Sequence, residues 1–141
     1  MPRRRLILAT LATALLAVTG LGVMPPAPAL AQEATAARAT VVEYAGEADL
    51  AARAAKGKTV VFFFASWCPN CRATVTELNA RWGDVPPGLT LVIADYDKET
   101  ALKKRFGVTY QDTFVLIDGS AKVVKAWNGG GVDGLNRNSA S

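Results

Sequence analysis

The chain has 141 residues, half of them hydrophobic, with 16 basic and 12 acidic side chains and a net charge of +4. Residues 1–31 contain Arg3, Arg4 and Arg5 but no acid; without them the balance falls to +1, too even for a nucleic-acid or anionic-membrane binder. Two cysteines and no histidine leave a four-ligand thiolate–imidazole zinc site impossible within one chain.

Residues 1–31 have the three-part layout of a secretory signal peptide. The three arginines open it, an uncharged Leu/Ala/Ile/Val-rich stretch over 6–23 follows, and Ala29-Leu30-Ala31 offers a small-x-small cleavage site. The expected product is exported, periplasmic or extracellular; the alternative is a membrane anchor formed by uncleaved residues 6–23, a stretch at the short end of what spans a bilayer. After cleavage no stable membrane span is expected. Residues 32–39 read as a flexible lead-in.

A short strand is expected over 40–44. Ala-rich residues 47–56 favour helix, with Gly57 as a stop. The unbroken apolar run over 59–65 reads as a buried central strand. A helix over 69–82 follows, with Pro69 tolerated in its first turn and Cys71, Val75, Leu78 and Trp82 on one face. After a loop over 84–88 comes a strand over 89–94. Asp97 is expected to cap a helix ending at Phe106, closed by Gly107, which puts Lys103, Lys104 and Arg105 in the last turn, where positive charge suits the helix dipole. Strands over 113–117 and 122–127 form a hairpin around Asp118-Gly119-Ser120. Residues 129–141, rich in Gly and Asn, show no convincing amphipathic pattern and read as an irregular tail.

The order β-α-β-α-β-α-β-β predicts an α/β fold: a mixed sheet with parallel core strands, a C-terminal antiparallel hairpin and helices on both faces, the final helix short or missing.

Both cysteines fall in Trp67-Cys68-Pro69-Asn70-Cys71-Arg72, where a strand ends and a helix begins. Covalent c-type haem needs His after the second Cys, and Arg72 stands there. An iron–sulfur cluster needs four ligands. Thiol–disulfide exchange, or two idle thiols, remains. Cysteines three apart staple little chain, so a purely stabilising disulfide is a poor explanation. The helix N-terminus favours a thiolate at Cys68, making it the attacking nucleophile; Cys71, on the apolar face, becomes the resolving thiol. No bound cofactor and no metal are expected.

The segment from Phe63 through Ala65-Ser66-Trp67-Cys68-Pro69-Asn70-Cys71, with Phe106-Gly107-Val108 and Thr113-Phe114 further on, resembles the thioredoxin superfamily, particularly its exported thioredoxin-like members. The resemblance implies a thioredoxin-like domain over 40–128. It implies an extracytoplasmic thiol–disulfide oxidoreductase, a monomer that exchanges disulfides with protein thiols and is served by a redox partner protein. It implies a substrate surface from Trp67, Pro69, Asn70, Gln111 and Asp112. Asp112 stands where the family usually has a cis-proline, so a trans peptide is expected there. It either opposes thiolate formation at Cys68 or is a solvated loop aspartate. Phe62 and Ile93 stand where thioredoxins proper carry a buried Asp and its Lys partner. The alternative function is a non-catalytic thioredoxin-fold binding module with a locked disulfide.

Overall fold

The computed structural model describes residues 38–140. The expected signal peptide, the alternative anchor and residues 32–37 of the lead-in lie outside them. The elements are β1 (Thr40–Glu43), α1 (Glu47–Lys56), β2 (Thr59–Phe64), α2 (Pro69–Arg81) with a 3-10 turn at Trp82–Asp84, β3 (Thr90–Asp95), α3 (Thr100–Phe106), β4 (Thr113–Ile117), β5 (Val123–Asn128) and α4 (Gly131–Ser139). Among the described residues no helix is long and apolar enough to cross a membrane.

The sheet order is β1-β3-β2-β4-β5. β3 runs parallel to both β1 and β2, β4 antiparallel to β2, and β5 antiparallel to β4. This is the expected mixed sheet with an edge hairpin. The period-2 alternation of strand side chains divides β2 between two cores. Val60 and Phe62 face the layer made with α2 and α4, where they join Cys68, Cys71, Leu78, Val132 and Leu135. Val61 and Phe63 face the layer with Leu50 of α1 and Leu102 and Phe106 of α3. With both faces covered, the strand needs no polar side, which is why its sequence shows no alternation.

Three expectations change. First, the stretch read as an irregular tail contains α4, whose Val132 and Leu135 are fully buried. The glycines that obscured it are structural: Gly129, Gly130 and Gly131 all have positive φ, a region costly for other L-residues. A Cβ on Gly131 would also lie 1.8 Å from Glu77 Oε2. The Glu77 carboxylate accepts the Val132 N–H at 3.3 Å and the Arg81 guanidinium at 2.9 Å, tying α4 to α2. Second, Asp97 does not cap α3; Glu99 precedes the helix and makes no side-chain cap. Asp95 Oδ1 instead accepts the N–H groups of Asp97 and Lys98. Gly107 closes α3 in the left-handed conformation, as expected. Third, Asp112 is buried, not solvated, with 6% of its surface exposed.

Candidate active site

β2 delivers the chain to the thiols. Cys68 takes the N-cap position of α2 with an extended backbone, Pro69 opens the helix, and the Cys68 sulfur accepts the Cys71 N–H at 3.2 Å. The sulfur thus does what a Ser or Asp oxygen does at other helix starts, satisfying an N–H that has no partner inside the helix. The loop ahead of it is pinned: Cys68 N–H donates to Ala65 O at 3.1 Å, and the Arg72 guanidinium to Ser66 O at 3.0 Å.

Both cysteines are free thiols, and both are buried. Their acidities diverge. Burial raises the Cys68 value, but hydrogen bonding with Cys71 and the N–H groups of Cys71 and Asn70 outweigh it and leave the thiol below the ordinary range. Burial is the main reason the Cys71 thiol is pushed up to about 12, with the neighbouring Cys68 adding to it. The Asp112 carboxylate opposes ionisation of both.

Asp112 is held from both sides. Its N–H donates to Phe63 O at 3.0 Å, and its carbonyl accepts from Gly129 N–H at 2.8 Å. These two bonds span the ends of β2 and β5 and hold Asp112 at φ 59°. Asp tolerates this left-handed region better than most residues. The preceding peptide is trans, as expected. Burial raises the carboxyl above its usual range, partly countered by a hydrogen bond with Thr74. Oδ1 is buried with no hydrogen-bond partner among the described residues.

Cys68, Asn70, Gln111 and Asp112 line one cleft of about 400 Å³, together with Tyr110 and Asn128. Three of the other expected site residues, Asn70, Gln111 and Asp112, therefore share a cleft with the Cys68 thiol, while Cys71 lies buried behind it. Pro69 and Trp67 are exposed on the surrounding surface and do not line the cleft. Trp67 is 56% exposed, and its Nε1 donates to Asp97 at 2.8 Å. Asn128 and Thr74 were missed in the sequence. Asn128 Nδ2 donates to Gln111 O at 2.7 Å and to Thr113 Oγ1 at 3.2 Å, fixing the loop opposite the thiols. Thr74 had a readable signal: it follows Cys71 by three residues on the same helix, hence on the same face.

Phe62 and Ile93 are paired across β2 and β3. Phe62 is fully buried and stacks on Phe114 at 4.4 Å between ring centroids; Phe114 stacks on Trp127 at 5.5 Å. The layer beneath the thiols is therefore aromatic at these positions. A larger apolar groove of about 620 Å³, lined in part by Val41, Phe64, Trp82 and Ile93, holds neither thiol.

Residues 39–138 match the family model described as Thioredoxin. Thioredoxin-2 of Pyricularia oryzae is 33% identical over 90 residues, which cover 63% of this chain and 52% of the relative, so the chain spans about half that relative's length. Thioredoxin from Fasciola hepatica superposes with a TM-score of 0.58 at 25% identity, over 72% of this chain and 95% of the other. A mutant thioredoxin from Halobacterium salinarum gives 0.62 at 19% identity, over 73% and 90%, a likeness of fold. With the family model spanning the whole sheet and the helices around it, the chain belongs to the thioredoxin family.

Proposed function

We propose that the chain is an extracytoplasmic thiol–disulfide oxidoreductase acting on protein partners through Cys68-Pro69-Asn70-Cys71. One observation carries this reading: the Cys68 sulfur sits at the N-cap of α2, hydrogen-bonded by the Cys71 N–H, with a far less acidic thiol directly behind it. The Cys68 thiolate attacks a substrate disulfide, one substrate sulfur leaves as a thiolate, and a mixed disulfide forms. Cys71 then loses its proton, bonds to Cys68 and expels the second substrate thiolate. The substrate gains two electrons and the pair becomes a disulfide; the reverse sequence oxidises a substrate dithiol.

Trp67 and Tyr110, 56% and 70% exposed, flank the thiol as aromatic contacts for a partner chain. Pro69, Asn70 and Gln111 complete that surface. The family membership and the matching relative named Thioredoxin-2 support the reading. Dithiol-dependent reduction of insulin by the purified chain, with Cys68→Ser alongside, tests it. Wild type should precipitate insulin and the variant should not. No difference between them in any redox buffer would leave only the binding-module reading. Export rests on the arginines, the apolar stretch and the cleavage motif of residues 1–31. Mass spectrometry of the exported product should find Gln32 at the N-terminus; a product retaining residues 1–31 would contradict cleavage.

A further inference from the structure

Resolution of a mixed disulfide requires the Cys71 thiol to lose its proton, and its burial makes that costly. A buried acceptor beside the thiols lowers that cost. The positions beneath the thiols offer none, since Phe62, Phe114 and Trp127 form an apolar stack there. Asp95, the acid at the end of β3, is committed to the turn N–H groups of Asp97 and Lys98 and to the Lys98 ammonium.

Asp112 meets the requirement. It lines the cleft with Cys68, only 6% of its surface is exposed, and its Oδ1 has no partner among the described residues. A buried carboxylate oxygen left unpaired is expensive and calls for a reason. The strained left-handed backbone is held by hydrogen bonds at both the N–H and the carbonyl, so the position is over-determined.

We infer that Asp112 is the proton acceptor for Cys71 in the resolving step, and the donor to Cys71 in the reverse step. The inference rests on the exchange reading above. As the Cys71 S–H proton passes to Asp112 Oδ1, directly or through one water, the Cys71 sulfur attacks Cys68. The Cys71–Cys68 bond forms, the bond from Cys68 to the substrate sulfur breaks, and the substrate leaves as a thiolate that can take the proton from Asp112. The Asp112 carboxylate opposes ionisation of Cys71, and taking up the proton removes that opposition as the sulfur gains charge.

The titratable groups that face this carboxylate are Cys68 and Cys71 from α2. Thr74 of α2 contributes a hydroxyl. Asn128 and Gly129, at the end of β5, contribute no ionisable group. Tyr110 lies on the carboxylate's own loop, and Arg137 of α4 lies near Gly130.

Reaction of the reduced chain with the aromatic disulfide of thionitrobenzoate separates the two steps. The first coloured anion released reports attack by Cys68, and the second reports resolution by Cys71. Asp112→Asn, which suits left-handed backbone, should slow the second release about 10²-fold relative to the first at neutral pH. The second release in wild type should level off above the Asp112 titration. In the variant it should keep rising about tenfold per pH unit, following Cys71 itself. Thr74→Val removes a bond that favours the ionised carboxylate, so its acid limb should move to higher pH with the plateau retained. Equal slowing of both releases, or an unchanged second release with an unchanged profile, would overturn the inference. A wild-type chain that shows the split but reduces no insulin would overturn the protein-substrate reading and leave the assignment of Asp112 standing.

Discussion

Each sulfur of the pair is defined by what it meets. Cys68 receives N–H groups at the start of α2, while Cys71 receives burial and the sulfur of its neighbour. Thiolate absorbance of the reduced chain should therefore show one group titrating below the free-cysteine value of about 8.5 and a second far above it. A single midpoint at the free value would contradict the assignment. The same difference sets a stability dependence. An acid whose folded value is lowered stabilises the fold above its unfolded value, and that contribution is lost as pH falls through the folded value. Reduced wild type should thus gain stability over Cys68→Ser as pH rises through the interval between the lowered value and about 8.5. Asp112 has the opposite sign. Its folded value is raised, so ionising it costs stability once pH exceeds the ordinary carboxylate range. Asp112→Asn should raise Tm at neutral pH and lose that advantage in acid; scanning calorimetry at the two pH values checks this.

Among the elements, α4 shows where sequence reading stops. The thiol pair, β2 and α2 were legible because an apolar run, a proline at the first helical turn and an i, i+3, i+4 pattern each carry local signals. The helix at 131–139 was not, because three consecutive glycines read as loop, and the reason for the last of them, Gly131, lies in Glu77, over 50 positions away. Likewise Asp97 has the composition of a cap, but its carboxylate is taken by Trp67. Gly131→Ala should displace Glu77 and force an alanine into a positive φ. The carboxylate can swing aside, but only by giving up the Val132 N–H and Arg81. A loss of about 1–3 kcal/mol by urea denaturation is expected. Leu135→Ala, which empties a fully buried position, should cost about 2–5 kcal/mol. A loss near zero for Leu135→Ala would mean that α4 does not close this core in solution.

For the molecule as a whole, the sheet acts as a fixed mount. Parallel β2 and β3 bring the strand ends to one edge, α2 begins there, and the turn before β4 returns the chain so that Asp112 faces the thiols. The burial of Asp112 could not be read from the sequence, because it depends on Phe63 and Gly129, on either side of it in space and distant in the chain. Trapping the intermediate distinguishes attack by Cys68 from attack by Cys71. Cys71→Ser, incubated with a disulfide-bonded protein substrate, should accumulate a mixed disulfide that peptide mapping places on Cys68, while Cys68→Ser accumulates none. An adduct through Cys71 in Cys68→Ser, or no adduct in Cys71→Ser, would rule out Cys68 as the attacking thiol and Cys71 as the resolving one.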